Sequence, residues 1–124
     1  MSEIIRSYRD LRVWQQAVDY CVQLYEATSS FPGTETYGLT AQIRRAAVSI
    51  PSNIAEGYGR SNRDFGRYLQ MAMGVLAEVE TQMEIAYRVN YLSDDEYSKL
   101  VNELTAIGKQ LNVLLHRVQA TNPK

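Results

Sequence analysis

Arg44, Arg45, Arg60, Arg63 and Arg67 are the residues of this 124-residue chain whose type and spacing suit chemistry with a ligand, and that chemistry is anion binding. A guanidinium presents a planar fork of donors that matches phosphate oxygens, and several of them on one surface neutralise a polyanion. Arg60, Arg63 and Arg67 recur at three and four, the spacing of one helix face. Tyr58 and Tyr68 lie among them and supply rings on which bases could stack. A second use of the same residues is to pair with acids on a neighbouring subunit. The sequence leaves both uses open.

Other chemistry lacks its parts. Glu-x-x-His pairs on facing helices would be needed for a di-metal bundle site, but the only histidine is His116, and Val113 precedes it by three. One histidine and one cysteine do not make a structural zinc site, and no run of acids has calcium-loop spacing. Gly57-Tyr58-Gly59 has neither the lysine nor the hydroxyl of a phosphate loop. With no nucleophile, base and orienting partner in evidence, the chain is expected not to be an enzyme and to carry no metal or cofactor. Cys21, set among Val18, Val22 and Tyr25, reads as a small core residue.

Composition and charge narrow the setting. A hydrophobic share of 45% and a charged share of 22% describe a globular chain that can bury a core. No stretch is long and apolar enough for a membrane span, and Met1 to Arg6 lacks the apolar run of a signal peptide, so a cytoplasmic location is expected. The formal net charge of -1 conceals an uneven distribution. From 44 to 67 the five arginines meet only Glu56 and Asp64. From 78 to 103, Glu78, Glu80, Glu84, Asp94, Asp95, Glu96 and Glu103 outnumber Arg88 and Lys99. Such asymmetry can give one molecule a basic surface despite its acid total.

Apolar residues recur at three and four throughout, so the elements that position the arginines are helices. The pattern predicts an all-α antiparallel up-down-up-down four-helix bundle forming a single domain over 1–124, with helices at about 8–29, 35–57, 62–90 and 94–119. Helix one turns Leu11, Trp14, Val18, Cys21, Val22 and Tyr25 inward and ends at Phe31-Pro32-Gly33. Helix two starts near Thr34 or Thr36 as N-cap and runs through Pro51, where it is expected to kink; Ser49, Ser52 and Asn53 are expected to satisfy carbonyls near Ala47 that the proline releases. Ser61 with Asp64 and Ser93 with Glu96 open helices three and four. Short loops make consecutive helices neighbours. Met1 to Ser7 and Ala120 to Lys124 look poorly anchored.

Helix one is apolar on two sides. Val13, Ala17, Tyr20 and Leu24 lie opposite its inward stripe, and Val48 lies on the outer face of helix two. An apolar face left in water marks a partner surface, so these residues are expected to form the contact of a homo-oligomer.

With these motifs placed, the chain resembles the bacterial four-helix-bundle family named after proteins encoded in intervening sequences of 23S ribosomal RNA genes. The resemblance rests on Leu11-Arg12-Val13-Trp14, on the run from Tyr37 through Ser49-Ile50-Pro51-Ser52-Asn53-Ile54-Ala55-Glu56-Gly57, on Ser61-Asn62-Arg63-Asp64-Phe65 and on Glu78-Val79-Glu80-Thr81-Gln82. It implies a bundle assembled as a ring-like homopentamer. The family is similar to the accessory proteins of diversity-generating retroelements, which implies nucleic acid and a reverse transcriptase as partners. The expected function is therefore a non-enzymatic oligomer that binds structured RNA or DNA through Arg44, Arg45, Arg60, Arg63, Arg67 and Tyr58. The alternative is a protein-interaction scaffold whose arginines make subunit or partner-protein contacts.

Overall fold

Two N-terminal capping devices and one proline set the frame of the molecule. In the computed structural model, which describes residues 4–120, the Ser7 hydroxyl accepts from Arg9 N while the Asp10 carboxylate accepts from Arg6 N and Ser7 N, fixing a 3-10 turn over Tyr8–Asp10. Ser7 is thereby anchored, contrary to expectation. The chain then bends at Leu11 into α1, Arg12–Thr28. A second 3-10 turn, Gly33–Glu35, precedes α2, Leu39–Gly57. α3 spans Asn62–Arg88 and α4 spans Asp94–Ala120. The expectations for 1–3 and 121–124 lie outside the described residues.

These bounds sit close to those read from the periodicity, with α2 as the exception. Thr34 and Thr36 do not cap it. The 3-10 turn occupies that stretch, and the Glu35 carboxylate accepts from Leu39 N at 3.0 Å, covering one of the open donors at the helix start. Ser61 accepts from Asp64 N at the head of α3, and Ser93 and Glu96 exchange the two bonds of a capping box at the head of α4. No strand occurs among the described residues.

The helices pack α1 on α2, α2 on α3, α3 on α4 and α4 back on α1, an antiparallel four-helix bundle. α3 presents Phe65, Leu69, Ala72, Leu76, Val79, Met83 and Ala86 to the core, and α4 presents Leu100, Leu104, Ile107, Leu111, Leu115 and Val118, as their spacing requires. α2 contributes Ile43, Ala46, Ala47, Ile50 and Ile54. At its end Gly57 meets α3 so closely that a β-carbon there would stand 2.6 Å from Tyr68 Cβ. Gly59 then takes φ 87, the left-handed conformation that reverses the chain into α3.

α1 is turned the other way from the expectation. Val13, Ala17, Tyr20, Leu24 and Thr28 are buried with Cys21, and Tyr20 and Leu24 are 1% and 0% exposed. Four of the expected interface residues, Val13, Ala17, Tyr20 and Leu24, are thus core of a single chain and offer nothing to a neighbour. Val22 and Tyr25, expected inside, are 56% and 45% exposed, and Trp14 and Val18 are half-buried. Thr28 decides the orientation physically. It extends the stripe begun by Val13 and donates its hydroxyl to Leu24 O at 2.8 Å, so it can be buried without a lost hydrogen bond.

α2 runs helical through the buried Pro51. The ring removes the N–H that would have bonded Ala47 O. Ser49, Ser52 and Asn53 do not replace it: their side chains donate to Ala46 O, Val48 O and Ser49 O. The donor to Ala47 O comes instead from α1, the Cys21 thiol at 3.2 Å.

Candidate nucleic-acid interface

The structure divides the expected arginine set in two. Arg44, half-buried on α2, donates from Nε to Thr28 Oγ1 at 2.8 Å and from a terminal nitrogen to Tyr25 O at 3.1 Å, and its guanidinium lies 4.4 Å from the centre of the Tyr25 ring. It binds the last turn of α1 to α2, covering a carbonyl that the helix end leaves open. Arg45 beside it is exposed. Both lie far from the other three: Gly57, where α2 ends, is twelve residues past Arg45, roughly 18 Å along the axis.

Arg60, Arg63 and Arg67 surround the turn from α2 into α3, all exposed. Arg60 donates from Nε to Glu56 O at 2.7 Å and places its guanidinium 5.0 Å from the Tyr68 ring centre, which closes the end of α2. Arg67 reaches Asp64 Oδ1 at 3.6 Å, an exposed pair of small energetic weight that leaves its other nitrogens open. Arg63 makes no hydrogen bond or ion pair among the described residues. Tyr58 is half-buried with its ring edge-on to Phe65 at 5.8 Å, so it completes the core beneath the turn instead of offering a face to a base.

Topology adds cations that the local spacing did not reveal. In an up-down bundle the start of α1 and the end of α4 meet the α2–α3 turn. There Arg12 and Arg117, with Lys109 about two turns back along α4, rim a groove of about 470 Å³ floored by Leu11, Val113 and Leu114. Arg9 lies on the same end, with its guanidinium 5.5 Å from the Trp14 ring. Among the described residues, Asp10, Glu56 and Asp64 are the acids of the segments that carry these cations at that end. Antiparallel pairing was the signal that would have found Arg12 and Arg117, because it brings the start of α1 and the last turns of α4 to the same end as 60–67.

The opposite end is acidic and rich in phenols. Tyr97 donates to Glu84, Tyr87 to Asp94 at 2.6 Å and Tyr91 to Glu35 at 3.0 Å, with the Tyr87 and Tyr97 rings stacked at 4.3 Å. The Tyr97 hydroxyl, then the Arg88 guanidinium, hold the Glu84 carboxyl below its ordinary range. The charge asymmetry of the sequence is thus divided along the bundle: Arg60, Arg63 and Arg67 lie at the α2–α3 turn, and Glu35, Glu84 and Asp94 lie at the α3–α4 end together with Arg44 and Arg88.

Burial pushes the Cys21 thiol up to about 11, far from a nucleophilic thiolate at neutral pH. His116 is exposed on α4. Among the described residues no set of three histidine, cysteine or acidic side chains is placed to hold a metal ion, and no helix is long and apolar enough to cross a membrane.

A family model described as 23S rRNA-intervening sequence protein matches residues 9–113. Among solved structures, the chain is similar to a protein of unknown function from the S23 ribosomal protein family of Bacteroides thetaiotaomicron, at 25% identity and a TM-score of 0.74, over 83% of this chain and 97% of the other. No curated protein matches.

Proposed function

The chain belongs to the 23S rRNA-intervening sequence protein family, and from that premise we propose that it is a non-enzymatic homo-oligomeric bundle that binds structured nucleic acid at its basic end. The observation that carries the binding half is the gathering of Arg12, Arg63, Arg67 and Arg117 from three helices, with Arg60 in the α2–α3 turn, at one end. Phosphates spaced along a folded RNA or DNA meet several guanidinium forks at once, and the release of their counterions supplies the affinity.

Oligomerisation gives that surface its multiplicity. Cys21 faces Ala47 and Tyr25 faces Arg44, a register that sets Val22 and Val48 side by side, 56% and 40% exposed. With Val18 and Tyr25 they form an apolar strip along α1 and α2, and a ring of copies joined through it would present the basic ends together. Val48 keeps the interface role expected of it, while on α1 the role passes to Val18, Val22 and Tyr25. The scaffold reading, in which the arginines make subunit or partner-protein contacts, draws no support from Arg44, whose partners lie within the same chain.

Filter binding of a hairpin RNA at low salt tests the proposal. Binding lost on Arg63→Ala with Arg67→Ala, but kept on Arg45→Ala, is the expected result. No binding by the parent protein at low salt would remove the nucleic-acid reading.

A further inference from the structure

The last turn of α1, the 3-10 turn over Gly33–Glu35 and the first two turns of α2 enclose a groove of about 510 Å³, the size of a small-molecule site. Two guanidinium groups, Arg44 and Arg45, line it, and among the described residues no carboxylate does. It begins where the apolar strip ends, at Tyr25 and Arg44, and runs toward the start of α2.

The donors at this place lack partners. Glu35 accepts from Leu39 N and Gly38 O accepts from Gln42 N, but the N–H groups of Thr40 and Ala41 between them have no acceptor among the described residues. They carry the positive end of the macrodipole of a 19-residue helix. Thr40 is only 8% exposed, yet its hydroxyl makes no hydrogen bond and is not sealed from solvent. An otherwise enclosed polar side chain thus keeps its one polar atom open where it lines the groove. Arg45 makes no hydrogen bond or ion pair among the described residues. Arg44 is held in place by Thr28 and Tyr25 O, which leaves its other terminal nitrogen open.

Helix geometry brings these donors together. Side chains lean toward the N-terminus of their helix and residues four apart are surface neighbours, so Arg44 lies over Thr40 and Arg45 over Ala41, toward the open amides. Glu35, the acid nearest this helix start in sequence, is occupied by Leu39 N and the Tyr91 hydroxyl and does not line the groove. A carboxylate has two oxygens and one charge to offer such a set. A phosphate that ends in three free oxygens has more acceptors and, above its second ionisation at about pH 6, two charges to set against two arginines. We propose that this groove binds a phosphate dianion, free or as a small monoester. Arg60, Arg63 and Arg67 lie at the other end of the bundle, so this proposal and the nucleic-acid reading stand or fall separately.

Titration calorimetry of the whole chain at about 150 mM salt with inorganic phosphate and with phenyl phosphate is the test, with benzoate and dimethyl phosphate as comparators. One saturable site per chain is expected for at least one of the two dianions, about tenfold or more tighter than for either comparator. Tighter binding of phenyl phosphate identifies the ligand as a monoester, and tighter binding of inorganic phosphate identifies it as the free ion. Thr40→Val keeps the shape and removes the hydroxyl, and it should weaken binding about tenfold. Arg45→Gln should do the same and, at an exposed position, serves if Thr40→Val fails to fold. Lys99→Gln, which removes an exposed cation from α4, should leave the affinity unchanged. Absence of saturable binding of both dianions, equal affinity for benzoate or dimethyl phosphate, or affinity indifferent to both Thr40→Val and Arg45→Gln would overturn the proposal.

Discussion

The Cys21 thiol donates to Ala47 O at 3.2 Å, and Ala47 O is the carbonyl that Pro51 leaves without its helical partner. A side chain of one helix thus completes the backbone of the next, which allows a proline to sit buried in the middle of α2. Cys21→Ala should destabilise the fold by about 1–3 kcal/mol, because it opens a small void and strands a buried acceptor. Pro51→Ala returns the N–H, so in that background the loss from Cys21→Ala should shrink. Urea denaturation of the four proteins in this cycle measures the coupling, and strict additivity would contradict the pairing.

The same burial makes stability depend on alkaline pH. The folded thiol is held up at about 11 against an ordinary 9.0, so the protonated thiol's contribution is complete below pH 9 and is lost as pH rises toward 11. Burial raises the Tyr20 hydroxyl as well, with the same sign. Unfolding followed from pH 8 to 11 should show falling stability, and Cys21→Ala should flatten that fall. In native protein the thiol should react with a thiol reagent far more slowly than in urea.

At the acidic end the sign reverses. The Glu84 carboxyl is depressed, chiefly by the Tyr97 hydroxyl and then by Arg88, so its contribution is present above the ordinary carboxylate range and is lost as pH falls through the depressed value. Tyr97→Phe should therefore lower stability at pH 7, where the bond to ionised Glu84 is made, and differ little from the parent once acid has protonated Glu84, so that its stability falls less with acid. Equal acid sensitivity of parent and variant would contradict this role.

Arg44 is assigned to the fold. Arg44→Met should lower stability by about 1–3 kcal/mol through loss of its bonds to Thr28 and Tyr25, and Arg44→Lys should recover little, since an ammonium does not reproduce the fork or the stacking on Tyr25. Nucleic-acid affinity measured on the folded fraction should be unchanged.

The apolar strip on α1 and α2 predicts the state of association. Val22→Glu, at a position 56% exposed in the single chain, should yield folded monomer in sedimentation with unchanged circular dichroism, whereas the parent should sediment as an oligomer. A parent protein that is monomeric at micromolar concentration would remove the assembly from the account.

Much of this architecture was legible in the sequence. α3 and α4 each carry a single apolar stripe with polar residues elsewhere, so only one face can be buried, and Ser61, Ser93 and Glu96 mark where each begins. α1 resisted because both of its sides are apolar. Trp14, Val18, Val22 and Tyr25 outweigh Ala17 and Thr28 in bulk, and bulk suggests the core. What decides the matter is partnership across helices: Tyr25 must be outside to lie under Arg44, and Thr28 can be inside because Leu24 O accepts its hydroxyl. The arginine site was half legible for a related reason. Local spacing found Arg60, Arg63 and Arg67, but Arg12 and Arg117 join them only through the antiparallel closure of α4 on α1.

The central claim is that the basic end holds phosphates, and the dependence of hairpin-RNA affinity on salt between about 50 and 200 mM tests it most directly. The account predicts a steep linear fall of log affinity with log salt, a slope reduced by about one unit for each of Arg63→Ala and Arg67→Ala, and an unaltered slope for Arg45→Ala. A shallow slope in the parent protein, or one indifferent to the loss of Arg63 and Arg67, would contradict it.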